Sequence, residues 1–207
     1  MRKRILLAVL GASAALGLAT TGTASAGVGT DTADAASAAP HVIDVTSTAQ
    51  IPTVKEGAGG RASLNAIYRL TMTNNDRGQC LDGDSNTIPN DGAKVQLWAC
   101  NGQTNQTWLW APAAGQPVGY YTIQNADRGQ CLDGDSNTIP NDGAKVQLWA
   151  CNGRTNQTWL WYGPTLTNAD RGQCLDGDSN TIPNNGAKVQ LWACNGWRNQ
   201  DWTTHSA

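Results

Sequence analysis

Three almost identical stretches dominate this chain. Asn74 to Trp110 matches Asn125 to Trp161 except at Asn75/Ala126 and Gln103/Arg154. Asn125 to Trp159 matches Asn168 to Trp202 except at Asp142/Asn185, Arg154/Trp197, Thr155/Arg198 and Thr158/Asp201. A unit of about 40 residues buries too little apolar surface to fold alone, so the copies must share one core.

Within a copy the signals are for short strands and turns. Asp82-Gly83-Asp84-Ser85-Asn86 and Pro89-Asn90-Asp91-Gly92 are turn clusters. Between them and Cys100, the run Lys94-Val95-Gln96-Leu97-Trp98 alternates, with Val95 and Leu97 on one face and Gln96 and Trp98 on the other. That pattern predicts a half-buried strand with an exposed Trp. On the preceding strand Leu81 is expected to point inward, with Cys80 and Asp82 outward. Three all-β units with Gly- and Pro-rich turns suit a closed threefold barrel, which also removes sheet edges. The expected fold is all-β, a β-trefoil with repeats over about 65–112, 113–162 and 163–207.

Six cysteines fall inside the repeats, two per copy at the same spacing. The simplest connectivity joins Cys80 to Cys100, Cys131 to Cys151 and Cys174 to Cys194, although six cysteines alone leave other pairings open. Each such bridge is worth about 3 kcal/mol on the loop-entropy model. A zinc site does not fit, because no two cysteines have ligand spacing and the histidines, His41 and His205, stand outside the repeats. No cofactor and no resident metal are expected.

Structural disulfides belong to an oxidising compartment, and the N-terminus agrees. Arg2, Lys3 and Arg4 precede an apolar stretch from Ile5 to Leu18, and Ala24-Ser25-Ala26 has the form of a cleavage site. Residues 1–26 are therefore read as a secretory signal rather than a membrane anchor, and the protein as secreted and extracellular. Residues 27–62, rich in Ala, Thr, Ser and Gly, are read as a flexible leader, and 63–207 as the folded domain. A formal charge of -2 and a pI near 5.5 give no footprint for nucleic acid. The aromatics are nine Trp and four Tyr with no Phe, so nearly every large apolar surface carries a polar edge, as binding surfaces do.

The order Cys-Leu-Asp, then Gln-Leu-Trp-x-Cys, then Asn-Gln-x-Trp, three times over, resembles the ricin B-type lectin domain, also known as a family 13 carbohydrate-binding module. The resemblance covers roughly Asn65 to Thr204. It implies a shallow sugar pocket in each copy. In the first, Asp82 would accept hydrogen bonds from sugar hydroxyls, Gln96 and Asn105 would bond the same sugar, Trp98 would stack on its C–H face, and Gln106 would orient Asp82. Carried over by position, the second pocket comprises Asp133, Gln147, Trp149, Asn156 and Gln157. The third comprises Asp176, Gln190, Trp192, Asn199 and Gln200. The chemistry agrees: a sugar presents hydroxyls at its edge and C–H groups on its face, and these residues offer in-plane polar partners and one aromatic platform.

Other features have plainer readings. Trp108, Trp159 and Trp202 close the Gln-x-Trp motif and are assigned to the core. Trp197 could widen the third pocket or only cover the barrel end. Asp82, Asp84 and Asn86 imitate the opening of a calcium loop, but Thr87 stands where the turn Gly should be and Ala93 where the closing Glu should be. The expected function is that of a non-enzymatic, monomeric, trivalent lectin for galactoside- or xylan-type glycans. A protein-binding trefoil, using Trp197 and the Gln116–Tyr121 connection, is the alternative. A glycosidase is the third reading, and it lacks a cleft for its carboxylates.

Overall fold

The computed structural model describes residues 41–44 and 66–207. The segment read as a signal, 1–26, lies outside the described residues. Of 27–62 only a short strand, β1 (His41–Asp44), lies inside them. Each repeat then contributes four strands. The first has β2 (Ala66–Asn74), β3 (Cys80–Gly83), β4 (Ala93–Trp98) and β5 (Thr107–Pro112). The second has β6 (Tyr120–Asn125), β7 (Cys131–Gly134), β8 (Ala144–Trp149) and β9 (Thr158–Tyr162). The third has β10 (Thr165–Asn168), β11 (Cys174–Gly177), β12 (Ala187–Trp192) and β13 (Trp202–Ser206).

The outer strands of the repeats form a closed ring. β2 pairs with β5, β5 with β6, β6 with β9 and β9 with β10. The bridge Thr165↔Asp201 and the β13–β2 ladder from Trp202↔Asn74 to Ser206↔Leu70 complete it. β1 lies parallel to β2 from His41↔Ala66 to Asp44↔Arg69, continuing along β2 where β13 stops. The inner strands form three hairpins, β3–β4, β7–β8 and β11–β12, with Asp82 opposite Gln96 and Cys80 opposite Trp98 in the first. The hairpins also pair with one another through Lys94↔Gln147, Gln190↔Lys145 and Lys188↔Gln96. Six ring strands and three mutually paired hairpins make a β-trefoil, as the repeats predict.

The core follows the alternation read from sequence. Leu81 and Leu97 are fully buried and Val95 nearly so, with their counterparts Leu132, Leu148, Val146, Leu175, Leu191 and Val189. Trp108, Trp159 and Trp202 are buried too, and each indole N–H donates to a main-chain carbonyl, of Leu81, Leu132 and Leu175. A buried Trp needs such a partner for its one donor. Gly83 shows how tightly the copies meet: a Cβ there would sit 2.8 Å from Ile88 Cδ1 and 3.0 Å from Leu148 Cδ1 of the next repeat. The disulfides join Cys80 to Cys100, Cys131 to Cys151 and Cys174 to Cys194, the pairing within copies.

Candidate functional site

Each hairpin brings an aspartate and a glutamine face to face, and a loop then closes over both. In the first repeat the Gln96 Nε2 amide donates to Asp82 Oδ1 at 3.0 Å. Asn105 Nδ2 and Gln106 Nε2 both donate to Asp82 Oδ2 at 2.9 Å. The second repeat repeats this with Gln147, Asn156 and Gln157 around Asp133, and the third with Gln190, Asn199 and Gln200 around Asp176. The structure thus assembles the predicted polar residues as three clusters, each with its own Trp above.

Burial differs from the parity expectation in one respect. Asp82 and Gln96 do point away from the barrel interior, yet they are only 3% and 5% exposed. The cause is the single-turn segment carrying Asn105 and Gln106, which folds back over the hairpin. Trp98, by contrast, is 37% exposed, as the alternation predicts, with Trp149 and Trp192 alike. Each cluster therefore has a covered polar floor and an aromatic rim.

The floor's remaining capacity can be counted from its donors and acceptors. Asn105 uses both amide protons, on Asp82 Oδ2 and on the Gly83 carbonyl at 2.9 Å, which leaves its side-chain oxygen for another partner. Gln106 is committed at both ends: its Nε2 also donates to the Ala99 carbonyl, and its Oε1 accepts from the Asn101 amide. Its side chain thus ties Asp82 to the loop that runs from Ala99 to Asn101. Asp82 accepts one bond on Oδ1 and two on Oδ2, so Oδ1 retains a lone pair.

Burial pushes the Asp82 carboxyl above the ordinary aspartate range, against the pull of its amide donors Gln96, Gln106 and Asn105, with nearby Asp84 adding to the rise. Asp133 and Asp176 are raised in the same way, by burial first.

Sequence reasoning missed three groups of residues that complete these sites across repeat boundaries. Asn74, Asn125 and Asn168, all buried, donate from Nδ2 to the carbonyls of Asn199, Asn105 and Asn156, so each holds the pocket loop of the preceding repeat. Asn185, Asp91 and Asp142 accept the main-chain N–H of Ala99, Ala150 and Ala193, beside the first, second and third Trp. Gly92 takes φ +86° and lies against the second site, where a Cβ would stand 3.7 Å from Gln147 Oε1 and 3.8 Å from Trp149. Gly143 and Gly186 do the same for the third and first sites. No site is built by one repeat alone.

The sites also differ. A cavity of about 160 Å³ is lined by Asp133, Gln147, Trp149, Asn156 and Arg154 among others. Around the third site the cavity is about 520 Å³ and its wall includes Trp192, Trp197, Asp142 and Asp178. Trp197 thus stands on the wall of the third cavity, where the second cavity has Arg154. Asp84 does not join the floor: its Oδ1 accepts from the Asn86 main-chain and side-chain N–H groups, the arrangement of an Asx turn. Among the described residues, no group of three or more His, Cys, Asp or Glu is placed to hold a metal ion.

Residues 68–202 match the family model of the ricin-type beta-trefoil lectin domain. A comparison with curated proteins gave no match. Among solved structures, the chain is similar to the designed threefold symmetric protein ThreeFoil, at 27% identity and a TM-score of 0.59, covering 66% of this chain and 96% of that one. It is also similar to the exo-beta-1,3-galactanase from Clostridium thermocellum, at 24% identity and a TM-score of 0.59, over 67% of this chain but only 30% of that enzyme. The ricin B-like lectin of Macrolepiota procera, solved in complex with lactose, shares the fold at 18% identity and a TM-score of 0.54, with 67% and 95% covered. The repeated hairpin, its aspartate floor and the match over most of the chain place this protein in the ricin-type beta-trefoil lectin domain family.

Proposed function

We propose that the protein is a secreted, extracellular lectin that binds carbohydrate without chemically changing it, through three pockets on one monomeric body. The observation that carries this reading is the triplicate floor: a covered carboxylate held by three amide donors, with a half-open indole beside it. Such a floor presents acceptors and one N–H in fixed directions, which suits the hydroxyls of a pyranose edge, while Trp98, Trp149 and Trp192 suit its C–H face. In the first pocket, Asp82 Oδ1 takes one sugar hydroxyl, Asn105 Oδ1 accepts a second, and Gln96 contributes its free N–H and Oε1.

If a single shallow pocket of this kind holds a sugar near millimolar, that is worth about 4 kcal/mol. Three on one rigid body gain a further factor of about 100 to 10,000 on a polymer that repeats the sugar. Polysaccharides or cell-surface glycans, of galactoside or xylan type, are therefore the partners rather than free monosaccharides. The family resemblance and the lactose complex of the Macrolepiota procera lectin support the sugar class. Secretion rests on the signal-like N-terminus and on three disulfides.

The test is retention of the oxidised protein on immobilised galactan and xylan. Changing Asp82, Asp133 and Asp176 together to Ala is expected to abolish retention, and each single change to weaken it in steps. Unchanged retention by the triple variant would sink the assignment of the sites.

A further inference from the structure

The three copies are so alike that their few departures locate any specialisation. One of them, Asn185 in place of Asp91 and Asp142, lies beside the first site; most of the others gather around one loop. Trp197 replaces Gln103 and Arg154, Arg198 replaces Thr104 and Thr155, and Asn75 replaces Ala126 and Ala169. In space these three meet. The Arg198 Nη2 group donates to the Asn75 carbonyl at 2.9 Å, and Thr203 Oγ1 donates to the Asn75 side-chain oxygen at 2.7 Å. The Trp197 main chain is held as well, its N–H on Asn195 Oδ1 and its carbonyl accepting from Gln200. Its indole is nevertheless 66% exposed. A large aromatic ring is thus carried into solvent from a fixed backbone, at the wall of the third pocket.

We infer that the third pocket takes two consecutive sugar units of an oligosaccharide, one on the Asp176–Gln190 floor against Trp192 and the next against Trp197. The inference rests on the carbohydrate reading above and deepens it. A cavity of about 520 Å³ falls in the range of sites that enclose an extended small molecule, about 300–1,000 Å³, whereas about 160 Å³ at the second site falls below it. The second indole adds a platform without touching the floor's hydrogen bonds. Glycan chains with two adjacent rings exposing C–H faces are the ligands this geometry selects, and the first and second pockets, with Gln103 and Arg154 at that position, read one ring each.

The experiment uses the full-length oxidised protein and four saccharides: galactose, lactose, xylose and xylotriose. In D82A/D133A, which keeps only the third pocket, lactose or xylotriose is expected to bind about fivefold or more tighter than its monosaccharide, the scale of one aromatic contact. Adding W197Q is expected to remove that gain, so that in the triple variant the longer saccharide binds no tighter than its own monosaccharide. In D133A/D176A, which keeps only the first pocket, no gain with length is expected until Q103W is added. Should the multiple variants fold poorly, the same question is put to the unsubstituted protein by NMR: the Trp197 indole N–H resonance, assigned by its loss in W197Q, shifts with the longer saccharide and not with the monosaccharide. Equal length dependence in both single-pocket proteins, or a gain indifferent to W197Q, overturns this inference while leaving the lectin reading intact. No saturable binding of any of the four by the unsubstituted protein removes both.

Discussion

Asn125 donates its side-chain amide to the main-chain carbonyl of Asn105 at 2.8 Å, so the second repeat holds the pocket loop of the first. Asn125 is fully buried, and its removal leaves that carbonyl without a partner. Asn125→Ala is expected to lower unfolding stability by about 1–3 kcal/mol, the cost of an unsatisfied buried polar group. The change should weaken the first pocket and spare the second, whose loop depends on Asn168. Denaturant midpoints, together with saccharide affinity in single-pocket backgrounds, check both halves. Equal weakening of the two pockets would show that the effect is general loosening of the fold.

How far the sequence foretold this arrangement depends on whether an interaction stays within one copy. Leu81, Val95 and Leu97 inward and Trp98 outward were legible because alternation within a copy decides them, while Trp108 in the core followed from its place in the Gln-x-Trp motif and the three disulfides were the simplest of several pairings that the cysteines allow. Asn74, Asn125 and Asn168 were not legible, although they open each of the three matching stretches. Their partners lie in the preceding copy, and nothing in one copy's sequence states how copies are rotated against each other. The same holds for Asp91 over the second site and for Gly92 beside Trp149. Burial of Asp82 escaped for a different reason: strand parity fixes direction, while the loop that folds over the side chain is set by tertiary packing.

Gly134 and Gly129 separate two reasons for a glycine. At Gly134 a Cβ would stand 2.8 Å from Ile139 Cδ1 and 2.9 Å from Leu191 Cδ1, so Gly134→Ala overpacks the contact between repeats and should cost about 1–3 kcal/mol. Gly129 has φ +73° and open space around it, so Gly129→Ala should cost about 1 kcal/mol from backbone conformation alone. Ile139→Val, which removes one of the clashing atoms, is expected to relieve part of the Gly134→Ala cost and none of the other. A thermal-unfolding double-mutant cycle reads the difference, and strict additivity at Gly134 would contradict the packing account.

The Cys131–Cys151 bridge links the start of β7 to the loop after β8. Replacing both cysteines by Ala should lower stability by about 3 kcal/mol on the loop-entropy model. Pocket geometry should survive, because Gln157 ties that same loop independently: its Oε1 accepts from the Asn152 amide at 2.8 Å and its Nε2 donates to the Ala150 carbonyl at 3.0 Å. Saccharide affinity of the second pocket in C131A/C151A, measured well below the unfolding temperature, is expected within about twofold of the parent, less than half a kcal/mol. A collapse of affinity at full folding would mean that the bridge itself shapes the site.

Acid should release the sugar before it unfolds the protein. Burial raises the carboxyls of Asp82, Asp133 and Asp176 above the ordinary aspartate value, and a protonated carboxyl loses acceptor capacity toward both its amide donors and a sugar hydroxyl. Binding is therefore present above the raised value and falls as pH drops through it, at a higher pH than an ordinary aspartate of about 3.9 would dictate. The effect on stability has the opposite sign. An acid whose folded pKa is raised disfavours the folded state when ionised, so its favourable contribution is complete below the unfolded value and is lost as pH rises through the folded one. Acidification across this window consequently removes ligand without these three groups weakening the fold. Retention on polysaccharide should decline reversibly while the near-ultraviolet dichroism of the buried Trp108, Trp159 and Trp202 persists. Loss of both signals together, or retention unchanged down to the ordinary aspartate value, would contradict the role given to the carboxylates.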